Sequence, residues 1–157
     1  MVTLHPMTDA EYDVYMATSP EDYAAERAQA EDIPLDEMRT TVSAQMASLL
    51  PQGLRTPDHH FWRVVADDGA TVGTLWVHVE AAPLRAFIYD IVIDAAQRGK
   101  GYGEATMRAL EEQLRPTSVT HIGLNVFGHN ATARALYDKM GYRVAATFML
   151  KRIRDQG

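Results

Sequence analysis

The sequence predicts an α+β fold in which helices and a mixed β-sheet form α/β/α layers. In the first half, helix-start residues and, from Leu35 to Leu49, apolar residues at three- and four-residue steps indicate helices. From residue 61 onward, short runs of β-branched and aromatic residues indicate strands. No repeat or long Gly/Ser linker divides the 157 residues, so we predict a single domain over residues 1–157, with a helical half (1–60) and a sheet-rich half (61–157).

Two helices are predicted in the first half. Ser19-Pro20 combines an N-cap hydroxyl with a proline at the first helical position, so we expect a helix from there through Tyr23 to about Ala30. Pro34 opens a second helix, which Pro51 and Gly53 end. The apolar face of this second helix comprises Leu35, Met38, Val42, Met46 and Leu49.

Three strands follow in the middle of the chain. They are predicted at Phe61–Ala66, Thr71–Glu80 and Ala86–Ile93. The first connection, Asp67–Gly69, has the composition of a tight turn, and Ala82-Pro83 breaks the chain before the third strand. Short connections of this kind predict an antiparallel meander.

The last third alternates between helices and strands. A glycine-rich loop at residues 98–103 leads into a helix with an apolar stripe of Met107, Leu110 and Leu114. A strand is predicted at Val119–Phe127 and a helix at Asn130–Met140, with Gly141 at the position that favours a left-handed residue. A final strand is predicted at Tyr142–Lys151.

Composition excludes several classes of protein. Hydrophobic residues make up 46% and charged residues 23%, as in a globular chain, and there is no cysteine for a disulfide framework, a thiol nucleophile or a Cys-based zinc site. No apolar run approaches the ~18 residues of a membrane helix, and the N-terminus lacks a signal peptide pattern, so we expect a cytoplasmic protein without membrane partners. His59-His60 has too few partners for a metal site and is interpreted as a junction between loop and strand.

Charge is distributed unevenly along the chain. The net charge is −6, with −8 carried by residues 1–60 and +2 by the remainder. An acidic chain without a Lys/Arg cluster argues against a nucleic-acid partner. The asymmetry fits an anionic ligand on the second half and a cationic one on the first, or simply solvated acidic helix faces.

The loop Arg98–Gly103 has the features of a pyrophosphate site. Its three glycines allow close approach of backbone to ligand, the first amides of the following helix lack intrahelical acceptors, and Arg98 and Lys100 add positive charge. The pattern is neither a P-loop nor G-x-G-x-x-G. A tight glycine turn before a helix is the alternative for this segment taken alone.

Two motifs resemble those of the GNAT superfamily of acyl-CoA-dependent N-acyltransferases. The first is Arg98-x-x-Gly101-x-Gly103 after the strand Tyr89–Asp94, which resembles motif A of that family. The second, about 30 residues on, is Leu124–Val126 followed by Asn130–Tyr142, which resembles the family's strand–Asn–helix–"LYxKxGY" signature. The resemblance covers about residues 86–150 and implies the family's fold and its co-substrate, acetyl-CoA, without a metal.

The resemblance implies roles for individual residues. Backbone groups of the strand would bind the pantetheine arm and loop amides would bind the pyrophosphate; the cofactor-binding set is Ile91, Val92, Ile93, Arg98, Gly99, Lys100, Gly101, Tyr102, Gly103, Glu104, Asn130 and Tyr137. Asn130 and Tyr137 are seven residues apart and therefore share one helix face. The family gives Asn130 a contact to the cofactor arm and Tyr137 the role of general acid toward the CoA thiolate. The alternatives are an N-cap and a packing residue.

The general base departs from a common family pattern. Some members carry Glu at the position of Asn125, and an amide cannot accept a proton at neutral pH. Glu80, Asp90 and His78 are the candidates, Asp90 being next to the cofactor-binding stretch, and a chain of waters is another family solution. We therefore include Asp90 with Tyr137 as catalytic residues.

The acceptor is expected on the acidic helical half. Its tyrosines and acids could hold an ammonium through ring faces and charge: Tyr12, Tyr15, Tyr23, Glu26 and Glu31. The substrate-binding set is Tyr23, Glu26, Glu80 and Asn125. A small-molecule or peptide amine is the expected acceptor, and a homodimer is a possible assembly.

Three classes of function are weighed. The first is an enzyme that moves an acetyl group from acetyl-CoA to a primary amine by direct attack, with Tyr137 as general acid. The second is a non-catalytic CoA-binding or interaction domain with the same fold, against which the intact motif residues argue. The third is an ATP-binding module, disfavoured because no Ser/Thr follows Lys100 to hold magnesium.

Overall fold

The computed structural model describes residues 1–82 and 84–155. Its elements are β1 (Val2–Pro6), α1 (Asp9–Glu31), α2 (Leu35–Leu49), β2 (His59–Ala66), β3 (Thr71–Glu80), β4 (Arg85–Ile93), α3 (Tyr102–Leu114), β5 (His121–Leu124) and α4 (Ala131–Lys139). The strands form one sheet in the order β1-β2-β3-β4-β5, antiparallel except for the parallel pair β4–β5. This mixed sheet with four helices confirms the α+β class.

The chain forms two compact units. The sheet unit comprises Met1–Val14 and Leu50–Asn125, and the helical unit comprises Tyr15–Leu49 and Val126–Gly157. In the described part of the chain, no helix combines the length and the apolar character that crossing a membrane requires.

The antiparallel meander in the sheet unit is confirmed. β2 pairs with β3 and β3 with β4, and the turn between the first two is closed by the Asp68 carboxylate, which accepts a hydrogen bond of 2.9 Å from the Ala70 amide. Gly69 has a φ of +87°, a conformation that favours glycine there. The predicted break at Pro83 lies outside the described residues.

One part of the core of the sheet unit lies between α3 and the sheet. α3 contacts β1 and β4, and the predicted stripe of Met107, Leu110 and Leu114 is buried. Leu75 and Val77, which alternate with ring-bearing residues along β3, are also fully buried. A single 3-10 turn (Ala95–Gln97) and the glycine loop connect the end of β4 to the start of α3.

The predicted start of the first helix is wrong. α1 begins at Asp9, and Ser19-Pro20 lies inside it. Thr8 and Glu11 form a capping box: the Glu11 amide donates to Thr8 Oγ1 at 3.2 Å, and the Thr8 amide donates to Glu11 Oε1 at 2.9 Å. The bond from the Thr8 amide also lowers the pKa of Glu11. Pro20 has no backbone N–H and so removes one hydrogen bond inside α1, but the turns on both sides stabilise the helix by more than this loss.

We expect Thr8→Ala to lower the free energy of unfolding by about 1 kcal/mol, because the variant loses the acceptor for an orphan amide of α1. Urea unfolding followed by circular dichroism measures this. Thr41→Ala is the matched control, since the Thr41 hydroxyl bonds only to the Glu37 carbonyl within α2 and its removal should change stability by less than ~0.5 kcal/mol. Equal effects of the two changes would contradict the capping role of Thr8.

The helical unit has a small core of its own. Ala24 and Ala28 of α1 pack with Met38 and Val42 of α2, which confirms the predicted position and apolar face of the second helix. An ion pair between Arg39 and Glu21 joins the two helices, with its shortest N–O distance at 2.7 Å.

The C-terminal part of the helical unit differs from the prediction. α4 and its ending at Gly141, with φ of +93°, are confirmed. The final strand predicted at Tyr142–Lys151 is wrong, because no described residue there is in a strand. Its apolar side chains are exposed, as at Phe148 and Met149.

The remaining differences concern the two edges of the sheet. β1 was not predicted, although Val2 and Leu4 alternate with polar neighbours. The strand predicted at Val119–Phe127 is shorter, since β5 spans only four residues. Its ladder with β4 ends at Ile88 and Leu124.

Candidate functional site

A β-bulge lies at the centre of the predicted cofactor strand. Trp76 pairs with Asp90 and Val77 with Ile88, so Tyr89 is an extra residue in β4. Bulges of this kind are frequent beside active sites. Beyond the bulge, residues 91–93 pair with β3, and on the other side β5 has already ended. Among the described residues, Ile91–Ile93 therefore have no ladder partner on that side, and an extended ligand can bond to their backbone.

The loop after β4 has the conformation that a phosphate site needs. Gly99 and Gly101 have φ values of +76° and +83°. Gly101 is the N-cap of α3, without a side-chain cap, so the first amides of the helix point toward the loop. Arg98 donates from Nε to the Ile93 carbonyl at 3.0 Å, which uses one of its five donors, and Lys100 donates to Gln97 at 3.1 Å.

Glu104 is the acidic residue in this set. Its carboxylate forms an ion pair of 2.8 Å with Arg108, one turn along α3. The charge is therefore directed along the helix, and the Glu104 amide is the group left for an anion. Tyr102 and Gly103 provide the other amides of the first turn.

Asn130 and Tyr137 belong to the helical unit. Asn130 caps α4, its Oδ1 accepting from the Ala133 amide at 3.1 Å, and its amide nitrogen is a further donor. Tyr137 is half-buried, with its ring centroid 5.7 Å from that of Tyr142. Asn130 therefore precedes the first residue of α4 as its N-cap, and Tyr137 lies within the helix.

The other predicted site residues fall into two groups. In the sheet unit, Asp90 is half-buried beside the bulge, Asn125 is exposed after β5, and Glu80 is ion-paired to Arg85 at 2.8 Å.

In the helical unit, Glu26 is exposed, the half-buried Tyr23 ring lies 5.9 Å from Phe127, and Glu31 is ion-paired to Arg27. Tyr12 and Tyr15 are buried.

Sequence reasoning missed an aromatic face on the sheet unit, which we define as the rings of His59, Phe61, Trp76, His78, Phe87 and Tyr89. They lie on β2, β3 and β4, with Trp76 stacked on Tyr89 at 4.7 Å and His59 stacked on His78 at 4.3 Å. The period-2 pattern Trp76, His78 on β3 was the available signal. His59-His60 begins β2, which confirms the junction.

His59 of this aromatic face is held in its neutral form. Its Nδ1 accepts a hydrogen bond of 3.0 Å from Trp76 Nε1. Burial, and then the neighbouring His78, lowers the pKa of His59 from 6.5 to about 4. The residue is thus a neutral imidazole at physiological pH.

We expect this histidine to make stability depend on pH. The pKa of His59 is lower in the folded state than in the unfolded state, so the unfolded state binds more protons at pH values between about 4 and 6.5. The contribution of His59 to the free energy of unfolding is therefore fully present above pH 6.5 and is lost as the pH falls toward about 4. Allowing for partial solvent screening, the loss is about 2 kcal/mol. Urea unfolding at several pH values measures it, and His59→Gln, which keeps an acceptor for Trp76, should reduce the loss. Identical pH dependence in the variant would contradict this assignment.

Comparison with known proteins supports the interpretation of the motifs. The model of the acetyltransferase (GNAT) family matches residues 14–142. YycN of Bacillus subtilis (strain 168), described as an uncharacterized N-acetyltransferase, is 33% identical over 97% of this chain and 99% of its own. Its crystal structure has a TM-score of 0.92, covering 99% of this chain and all of that one.

Two further comparisons also match acetyltransferases. YdgE of the same organism, also described as an uncharacterized N-acetyltransferase, is 30% identical over 96% of this chain and 98% of its own. The structure of AAC(6')-Iy in complex with a CoA-containing bisubstrate analog shares the fold, with a TM-score of 0.57 at 13% identity over 99% of both chains. The resemblance seen in the motifs is confirmed, and the chain belongs to the GNAT family of acetyltransferases.

Proposed function

We propose that this protein transfers an acetyl group from acetyl-CoA to a primary amine. The observation that carries the proposal is the loop from β4 into α3, with Gly99 and Gly101 at positive φ, an uncapped helix N-terminus and two cations. These groups suit the pyrophosphate of CoA. The CoA-containing analog bound by AAC(6')-Iy is consistent with this co-substrate.

The proposed roles of the residues are those that the family resemblance implies. Amides from Gly99 to Glu104 bind the pyrophosphate, with Arg98 and Lys100 adding charge, and the backbone of Ile91–Ile93 bonds to the pantetheine arm. Asn130 contacts the same arm through its side-chain amide. Tyr137 gives its proton to the sulfur as the C–S bond breaks.

The acceptor proposed is a small-molecule or peptide amine. The net charge of −8 on residues 1–60 favours a cationic molecule. Tyr23, Glu26, Glu80 and Asn125 are the proposed contacts. The single domain over residues 1–157, the cytoplasmic location and the homodimer stay predictions.

Calorimetric titration of acetyl-CoA, followed by an assay for free CoA thiol with a panel of amines, tests the proposal. We expect binding, and thiol release that depends on the amine. Binding without release for any amine would favour the alternative, a non-catalytic CoA-binding domain. Binding of ATP in preference to acetyl-CoA would favour a nucleotide module, and no binding by the folded protein would contradict the acetyltransferase.

A further inference from the structure

The aromatic face contains a pair of histidines in direct contact. His59 and His78 are opposite each other in the ladder between β2 and β3, and their rings stack at 4.3 Å with an interplanar angle of 23°. Tyr89, the bulged residue of β4, lies 5.8 Å from the first ring and 6.3 Å from the second. The pair therefore borders the bulge that precedes the proposed cofactor strand.

The tautomer of His59 is fixed by its partner. An indole nitrogen can only donate, so the bond from Trp76 Nε1 requires His59 Nδ1 to be without a proton. The proton of the neutral ring is therefore on Nε2. A second proton would have to enter at Nδ1 and would break the bond to Trp76, so His59 resists becoming a cation.

This asymmetry leaves His78 as the proton acceptor of the pair. Its half-buried ring stacks on an imidazole that stays neutral, so a proton on His78 does not meet a second cation. The backbone holds the geometry in place: Asp58 has a φ of +66°, and its carbonyl accepts from the Val79 amide at 2.9 Å. The titratable and charged groups at neighbouring positions are Asp58 just before β2, His60 on β2, Glu80 on β3, and Arg85, Tyr89 and Asp90 on β4.

We propose that His78 is the general base that takes a proton from the ammonium of the acceptor, and that His59 is a positioning residue that holds its ring. This rests on the proposed function. The ammonium gives one proton to a nitrogen of His78, which becomes imidazolium, and the free amine forms the new C–N bond to the acetyl carbon. The C–S bond breaks, Tyr137 protonates the sulfur and regains a proton from the amide nitrogen, and the imidazolium releases its proton to solvent.

The competing carboxylates are less suited to this role. Glu80 accepts two hydrogen bonds from Arg85, at 2.8 and 3.1 Å, which favour its charged, ion-paired form. An imidazole is also a stronger base than a carboxylate near neutral pH. We therefore assign the proton transfer to His78 and not to Asp90, which remains a site residue beside the bulge.

The test measures kcat/KM for the best amine between pH 5.5 and 9.5, at saturating acetyl-CoA. We expect the wild type to show an ascending limb in this pH profile, and His78→Gln to remove the limb and to lower kcat/KM about a hundredfold. His60→Gln is the matched control, since that histidine follows His59 in the sequence but stacks on Trp62 at 5.3 Å, outside the aromatic face. It should stay within about twofold of the wild type. Added imidazole should restore activity to His78→Ala.

Each contrary result is distinct. A wild type that neither binds acetyl-CoA nor releases CoA contradicts the proposed function. An active wild type whose His78→Gln variant keeps the same pH profile, or whose His78→Ala variant gains nothing from imidazole, overturns the role of His78. If the variants do not fold, NMR titration of the wild-type histidines decides: a His78 midpoint equal to that of the kinetic limb supports the proposal, and a different midpoint overturns it.

The positioning role of His59 has its own readout. His59→Gln keeps an acceptor for Trp76 but removes the stacked ring from His78. We expect kcat/KM to fall by about three- to tenfold and the ascending limb to move in pH while it persists. If the ascending limb of the pH profile disappears in His59→Gln, His59 itself is the base. If the limb stays at the same pH, His59 has no role in the mechanism.

Discussion

Gly101→Glu should weaken acetyl-CoA binding at least a hundredfold. Gly101 is the N-cap of α3, and a side chain there extends from the centre of the proposed pyrophosphate site. At 4 Å and an effective dielectric constant of 20, two like charges repel by about 4 kcal/mol, whereas a hundredfold loss needs only about 3 kcal/mol. A Cβ at Gly101 meets no atom within 4 Å, so steric clash does not account for the loss. Calorimetry with acetyl-CoA measures it.

The matched control is Gly69→Glu. Gly69 has nearly the same φ, +87° against +83°, and a Cβ there also meets nothing within 4 Å. Both variants thus carry the same backbone strain, about 1–2 kcal/mol, but only one places its carboxylate at the loop. We expect Gly69→Glu to bind acetyl-CoA normally. If both variants bind equally well, the phosphate site lies elsewhere.

The sequence could predict the elements whose own residues determine them. α3 shows the agreement best, because its apolar stripe, its glycine N-cap and the preceding loop are all local features. The start of α1 shows the limit. Ser19-Pro20 and Thr8–Glu11 are both sound helix-start patterns, and only the reciprocal hydrogen bonds identify the second as the one in use.

The final strand failed for a different reason. Tyr142–Lys151 has the composition of a strand, yet a strand needs a neighbour for its backbone groups, and composition does not reveal the pairing. The structure instead anchors the end of this segment by Arg152, which donates to Asp32 at 2.6 Å. Conversely, β1 is short enough that its alternation did not stand out.

The candidate site also combines features that the sequence could predict with features that it could not. Its glycine positions and motif spacing could be predicted from the chain, because they depend on local backbone conformation. Other features of the site depend on how side chains are placed in the folded structure. They are the direction of the Glu104 carboxylate, the hydrogen bond from Arg98 to the Ile93 carbonyl, and the hydrogen bond from Trp76 to His59. Contacts of this kind join residues whose types allow several partners, so no pattern specifies them in advance.

Tyr137→Phe should lower kcat about a hundredfold or more, within the range that general acid catalysis contributes. The change removes one hydroxyl and keeps the ring, which packs 5.7 Å from the ring of Tyr142 in the helical unit. Without the phenol, the sulfur loses its proposed proton donor as the C–S bond breaks. Because the lost interaction acts as the C–S bond breaks, the KM for acetyl-CoA should change less than about threefold.

Tyr142→Phe is the control that separates chemistry from packing. It removes the same group from the neighbouring ring, and it should leave kcat within about twofold of the wild type. The readout is the initial rate of CoA thiol release at saturating acetyl-CoA and amine. Equal losses in the two variants would mean that the hydroxyls serve the packing of the helical unit. No loss in Tyr137→Phe would mean that the sulfur takes its proton from another group or from water, or that it leaves as an unprotonated thiolate.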